Sequence, residues 1–312
     1  MTIPADKYYG RYATNYDASR NRTERWAKEQ EAVAEFVTIG KVLDVPIGTA
    51  RYVSIYRKKG LDCIGLDISG DMLAEAKKKF PDMQLDQGSI LDLPYSDKSF
   101  GTVVCSRMLD WFNPADMAQA VSEMRRVAHE LIVTLRHGPE EVVRVNQTHT
   151  LHNFLKQLDG LMICGRRVTE VTQDGTEEIF RFKAATWEDV LKQFSYNGKD
   201  PAQEVNRLAG VWFKDIVVNT KTTEVKAEYW TGTELKKVLE EMSAVYDHAD
   251  LPNKKRYITD DRPRFETTAP ATILKAKGEF VILDGRRRIN EWCEQPGLHP
   301  VLVLTHRGNR AR

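Results

Sequence analysis

The chain has 312 residues, 41% of them hydrophobic, and balances 46 Lys plus Arg against 45 Asp plus Glu. A balance this close to neutral excludes a uniformly basic nucleic-acid or membrane-surface protein, and the length suggests about two domains at roughly 100–200 residues each. The four cysteines, Cys63, Cys105, Cys164 and Cys293, show no paired spacing and read as buried thiols in a reducing compartment rather than as disulfides or zinc ligands. No apolar run approaches the ~20 residues needed to cross a bilayer, and residues 1–10 hold no signal-peptide core. A cytoplasmic protein without a membrane partner is expected.

In chain order, residues 42–45 (VLDV) read as a short buried strand, followed by a turn, PIGTAR, and a helix. A second apolar run, CIGLD, ends on Asp67 about twenty residues later. A glycine that lets the chain turn sharply against a ligand, with an acid closing the next strand, is the layout of a nucleotide-type cofactor site, the acid accepting from both ribose hydroxyls. Only Gly48 of the turn is a glycine, so a pyrophosphate cradle is not expected. Ser69 is placed to cap a helix whose Met72, Ala76 and Phe80 share a face. Met117, Ala120, Met124 and Val127 mark another helix, 131–135 a buried strand, and Leu151, Phe154, Leu155 and Leu158 a further helix. Strands are expected at 162–170 and 177–183 about a turn at 172–175. Alternation of strand and helix from 42 to about 135 predicts an α/β fold with a mostly parallel sheet covered on both faces.

On these residues the N-terminal part resembles the class I S-adenosylmethionine-dependent methyltransferases. Their first motif reads D-x-P-x-G-T-G-R in one branch; here it is Asp44-Val45-Pro46-Ile47-Gly48-Thr49-Ala50-Arg51, with Ala50 in place of the last glycine. The tract 87–100 (QGSILDLPYSDKSF) resembles the family's adenine-side loop, with Ser89 where many relatives carry an acid, and 102–112 (TVVCSRMLDWF) resembles the strand running into the acceptor loop. Residues 12–17 (YATNYD) and the stretch around Trp26 resemble its lid. The resemblance spans roughly residues 8–185 and implies a Rossmann-like sheet with an antiparallel edge hairpin and S-adenosylmethionine as cofactor. It also implies cofactor contacts at Tyr16, Asp44, Gly48, Thr49, Asp67, Ile68, Met72, Ser89, Ile90 and Cys105. For the acceptor side, Arg107 is the candidate for orienting an anionic substrate and His137 for a general base. Trp111 and Phe112 serve equally as core or acceptor contacts. His149 and His152 lack a Cys or acidic partner, so no metal site is expected.

From about 186 the texture changes, and the reading is a methyltransferase-like domain at 1–185 with its lid at 1–38, a connecting helical segment at 186–225 and a smaller α+β domain at 226–312. Thr231-Gly232-Thr233-Glu234 has capping-box form ahead of Leu235, Val238, Leu239, Met242 and Val245, and the charged tract 253–264 reads as a surface loop. Further on, 278–292 (GEFVILDGRRRINEW) reads as strand, glycine turn and helix, and 300–304 as another strand. Asp284, Gly285, Arg286, Arg287 and Arg288 place guanidinium forks at a turn suited to phosphate. The stretch resembles the ParB and sulfiredoxin-like superfamily, with Arg286 where the ParB branch carries glutamate; Arg262 and Arg264 offer a second phosphate contact. The partner expected there is a nucleotide or nucleic acid, and Arg307, Arg310 and Arg312 extend the basic patch. The methyl acceptor is an unidentified small molecule or nucleotide. No N-P-P-Y, D-P-P-Y or Pro-Cys signature is present, which disfavours a base-modifying DNA enzyme. Two competing readings are a phosphotransferase centred on Asp284 and Arg288 and a non-catalytic S-adenosylmethionine-sensing or nucleic-acid-binding scaffold.

Overall fold

The structure, a computed structural model, describes residues 8–20, 24–137, 151–158, 160–172, 175–195, 200–213, 215–248, 269–295 and 297–307. His149, Gln173 and Asp174 of the expected turn, the 253–264 tract, Arg310 and Arg312 lie outside the described residues. The chain forms two compact units, one of residues 1–158 with 163–183 and one of 159–162 with 184–312.

The first unit is built on a seven-stranded sheet of β1 (Val42–Asp44), β2 (Cys63–Asp67), β3 (Gln84–Gln87), β4 (Phe100–Cys105), β5 (Ala128–His137), β6 (Leu161–Thr172) and β7 (Gly175–Ala184), in the order β3-β2-β1-β4-β5-β7-β6. The first five run parallel to their neighbours and β7 lies antiparallel to β5, with Val133 opposite Phe180. Apolar runs with no alternation are what a sheet covered on both faces requires, and β1 and β4 are buried along nearly their whole length. The strand order reverses between β1 and β4, which places a ligand crevice at their carboxyl ends.

Among the described residues, six α-helices accompany this sheet: α1 (Arg11–Arg20), α2 (Glu24–Phe36), α3 (Val53–Lys58), α4 (Gly70–Lys79), α5 (Pro114–Val127) and α6 (Leu151–Gln157). Ser69 caps α4 by accepting from the Met72 amide at 3.2 Å, and Asn113 caps α5 by accepting from Asp116 with Pro114 at the first helical position. Met72 and Ala76 are buried as their spacing requires. Cys105 is a buried thiol as expected, whereas Cys164 is exposed on β6, a correction to the expectation that all four cysteines are covered.

The second unit holds β8 (Thr223–Thr231), β9 (Ala271–Ala276), β10 (Glu279–Asp284) and β11 (Leu298–His306) in the order β10-β9-β11-β8, with β9 and β11 parallel and the outer pairs antiparallel. Its helices among the described residues are α7 (Trp187–Phe194), α8 (Pro201–Trp212), α9 (Gly232–His248) and α10 (Arg286–Trp292). The capping box ahead of α9 forms as its sequence dictates: the Thr231 amide donates to Glu234 at 2.6 Å and the Glu234 amide returns to Thr231 Oγ1 at 3.2 Å. The 186–225 segment is more than a connection. Val190 and Phe194 of α7 and Val205 and Ala209 of α8 are fully buried in one core with Leu235, Ile273 and Leu302, because amphipathic helices this short need a sheet to cover their apolar faces.

Candidate active site

At the carboxyl ends of β1 and β2 the chain is held in shape by one side chain. The Asp67 carboxylate accepts from the Gly48 amide at 2.8 Å with one oxygen and from the Ser69 amide at 2.9 Å with the other. Burial pushes the Asp67 carboxyl up, opposed by the amides of Ser69, Gly48 and Ile68. The two oxygens offer about four acceptor sites, so the nearly buried Asp67 can fix the turn through these amides and still accept a further hydrogen bond. Gly48 has φ of +53°, and a methyl group built on it would meet nothing within 4 Å, so the turn borders open space of the kind a ligand needs. Ile68, next to Asp67, is 53% exposed, an apolar surface beside the ribose-type acceptor. These features fit an adenosine-bearing cofactor.

The other residues carried over from the resemblance are placed differently. Asp44 lies beneath the turn, buried, where the Tyr56 hydroxyl donates to it at 3.0 Å. Met72, Ile90 and Cys105 are buried side chains. Ser89 has its hydroxyl oxygen engaged by the Leu91 amide at 3.1 Å and keeps its own proton to donate. Tyr16 on α1 sits with its ring 6.2 Å from that of Trp26. The α1 segment lies over the turn: Thr49 Oγ1 donates to Asp17 at 2.6 Å, Lys79 bonds both Asp17 and the Thr49 carbonyl, the Ser69 hydroxyl donates to the Tyr8 carbonyl and the Gly10 amide to Asp71.

On the β4 and β5 side stands a polar cluster that the motifs do not announce. Glu29 of α2 is wholly covered, yet four donors serve it: Ser106 Oγ at 2.6 Å, Arg51 Nη2 and Thr134 Oγ1 each at 3.2 Å, and Arg107 Nε at 3.3 Å. Burial pushes the Glu29 carboxyl up, but Arg51 and Arg107, with Ser106 and Tyr52, outweigh it and hold the group at about 2. Arg107 also pairs with Glu177 of β7 at 2.5 Å, and Arg25 pairs with Glu170 at 2.6 Å. The Arg51 guanidinium stacks 4.0 Å from the Trp26 ring centroid. Arg107, the expected substrate-orienting cation, is therefore committed to internal carboxylates, and its φ of +59° is a left-handed conformation that a side chain adopts only under constraint. His137 lies 3.4 Å from Glu178, which also holds Arg166, so its nitrogen faces a carboxylate rather than an acceptor. Asp110, in the turn Leu109–Trp111 that follows Arg107, has an Oδ1 that accepts from the Arg136 amide and is pushed up to about 6 by burial, the range of a usable base. The sequence did carry one signal for the cluster. Glu29 shares the buried stripe of α2 with Trp26, Ala32, Val33 and Phe36, and a charge on an apolar stripe calls for a buried partner.

A family profile for a methyltransferase domain matches residues 42–130, the span from β1 to the start of β5. The first unit carries a class I S-adenosylmethionine-dependent methyltransferase domain. Its cofactor is S-adenosylmethionine, and the strand order and the Asp67 turn belong to this domain. The domain is similar to the demethylmenaquinone methyltransferase of Renibacterium salmoninarum, 35% identical over 114 residues that cover 36% of this chain and 47% of that protein. The demethylmenaquinone methyltransferase of Chlorobaculum parvum is 36% identical over 88 residues, 28% of this chain and 36% of that one. The chain thus spans about half or less of the length of these relatives. Among solved structures, magnesium protoporphyrin IX methyltransferase from Synechocystis with bound S-adenosylhomocysteine aligns with a TM-score of 0.44 at 16% identity, over 51% of this chain and 84% of that one. Among the described residues, no helix is long and apolar enough to cross a membrane.

In the second unit, Gly285 has φ of +87°, and a methyl group there would stand 2.8 Å from Ala271 Cβ. Asp284 and Arg288, expected side by side at a phosphate, bond each other at 2.7 Å because the Gly285 turn brings the end of β10 beside the first turn of α10.

Proposed function

We propose that the protein transfers the methyl group of S-adenosylmethionine to a small-molecule acceptor that docks at the carboxyl ends of β4 and β5. The observation that carries this reading is Asp67, which ends β2, holds the Gly48 and Ser69 amides and keeps acceptor capacity beside the exposed Ile68. S-adenosylmethionine supplies the activated methyl group when bound. The chain's own part is to hold the turn, to cover it with α1, and to orient the acceptor; positioning alone can account for much of a transfer barrier. The relatives' names place the methyl group on demethylmenaquinone. With half or less of their length matched, the acceptor is proposed only as a small molecule.

Calorimetric titration with S-adenosylhomocysteine tests the reading. The parent is expected to bind at roughly micromolar level, and Asp67→Ala to weaken binding on the order of 10- to 100-fold through loss of charge-assisted hydrogen bonds. Absence of binding in the parent overturns the proposal.

A second reading, for the C-terminal unit, rests on Arg288. Its Nη2 is held by Asp284 and by the Pro270 carbonyl at 3.2 Å, whereas its buried Nε has no acceptor. We propose that a phosphate-bearing ligand such as a nucleotide supplies one at the Gly285 turn. Titration with pyrophosphate should detect binding that Arg288→Ala abolishes; equal binding by parent and variant removes this reading.

A further inference from the structure

The four donors around Glu29 form a built receptor for a carboxylate. Arg51 leaves the cofactor turn, Ser106 and Arg107 follow β4, and Thr134 stands on β5, so the donors converge at the end of the sheet where small ligands bind. The occupant comes from a helix of the lid region rather than from the sheet. The C-terminal half of α2 is anchored through Ala32, Val33 and Phe36 in the core, whereas its N-terminal half has one large buried apolar side chain, Trp26, which packs on the Arg51 guanidinium and Tyr16, beside the Arg25–Glu170 pair.

Three further facts separate this cluster from a finished structural ion pair. Arg25, Arg51 and Arg107 face Glu29, Glu170 and Glu177, so withdrawal of Glu29 leaves one net positive charge, which a monoanion neutralises. The buried Trp26 Nε1 and Arg51 Nη1 have no acceptor while Glu29 fills the site, so the receptor holds more donors than its occupant uses. Arg107 is held at positive φ, a conformation that concentrates at ligand clamps.

We propose that Glu29 is an internal stand-in for the carboxylate of a bound small molecule, and that this ligand displaces Glu29 from Arg51, Arg107, Ser106 and Thr134 as the start of α2 swings away. The proposal builds on the methyl-transfer reading and narrows it. The carboxylate belongs either to the amino-acid end of the cofactor or to the acceptor. In both cases Glu29 competes with it, and a receptor free in about one molecule in ten weakens apparent affinity about tenfold.

The test compares the full-length parent with Glu29→Gln, which keeps shape and loses the charge, and with Glu29→Ala, which opens the site. S-adenosylhomocysteine and 5′-methylthioadenosine, its analogue without the amino-acid end, are titrated into each, and thermal midpoints are followed with acetate and benzoate against acetamide at matched ionic strength. A gain of about tenfold for S-adenosylhomocysteine in Glu29→Gln, with methylthioadenosine unchanged, assigns the carboxylate to the cofactor. No gain for either nucleoside, together with stabilisation of the variants but not the parent by acetate or benzoate and not by acetamide, assigns it to the acceptor. Folded variants that show neither gain overturn the proposal and leave the cluster a structural network. If Glu29→Ala fails to fold, Glu29→Gln carries both measurements. Because acetate binding does not involve the cofactor, failure here is distinguishable from failure of the parent to bind S-adenosylhomocysteine.

Discussion

Asp44 and Glu29 are two carboxyl groups at the same end of one sheet, both almost fully covered, and they end in opposite charge states. Asp44 is met by one neutral donor, the Tyr56 hydroxyl; burial pushes it up to about 8, so at neutral pH it is protonated. Glu29 loses as much water but gains two guanidinium groups and two hydroxyls, and stays ionised. The partners rather than the depth of burial decide the charge. Consequently the buried floor of the Gly48 turn carries a neutral Asp44 and its charge lies on Asp67 and the overlying Asp17–Lys79 pair, while the β4–β5 side concentrates buried charge that is paired within the protein.

The largest expected effect comes from breaking the charged region. Arg107→Ala leaves Glu177 without its 2.5 Å partner and Glu29 with one arginine instead of two. A buried carboxylate stripped of a partner costs roughly 3–5 kcal/mol, and since Arg51 remains, about 3 kcal/mol is expected in urea unfolding. A loss below about 1 kcal/mol would mean that water enters and replaces the guanidinium.

The neutral region is broken by pH. The Asp44 pKa is raised in the folded state, so its contribution is fully present below the unfolded value of 3.8 and is lost as pH rises towards about 8. Across that window only the native state holds the proton, and the parent should lose up to about 1.4 kcal/mol per pH unit relative to Asp44→Asn, which keeps an acceptor for Tyr56 without titrating. Glu29 runs the other way: its pKa is lowered, so its contribution is present above 4.5 and lost as pH falls towards about 2. Unfolding of Asp44→Asn and parent at pH 5 and pH 8 separates the two. Parallel slopes would show that Asp44 is ionised.

The contrast also explains what could be read from the chain alone. The cofactor turn is local: Asp44, Gly48 and Asp67 fall within 24 residues, and the turn glycine, the strand-ending acid and the Ser69 cap each follow from their immediate neighbours. The mostly parallel sheet followed because uninterrupted apolar runs alternate with helices, whereas the strand order is set by long-range pairing. The charged cluster is non-local. Glu29 and Arg107 are 78 positions apart and Arg25 and Glu170 are 145 apart, so no spacing announces them, and Arg107 and His137 looked available because their carboxylate partners sit on elements distant in sequence. The reach of α7 and α8 into the second core was hidden for a similar reason, since the strands that cover them begin only at Thr223.

The smallest effect sharpens the same comparison from the turn. Ala50 is buried with φ of +62°, where the family's first motif has glycine, and no charge or polar partner of its side chain holds it there. The left-handed conformation costs an L-residue about 1–2 kcal/mol, and replacing alanine by glycine returns some 0.4–1 kcal/mol to the unfolded chain as entropy. The difference favours Ala50→Gly by about 0.5 kcal/mol, measured as a rise in the urea midpoint with unchanged slope. Because the strain lies in the backbone of the turn that Asp67 organises, relief should leave the pH dependence of Asp44 and the pairing of Glu29 untouched. Stabilisation that appears only when Arg107→Ala is also present would mean instead that the two regions are coupled, and that the left-handed Arg107 and Ala50 are held by one another.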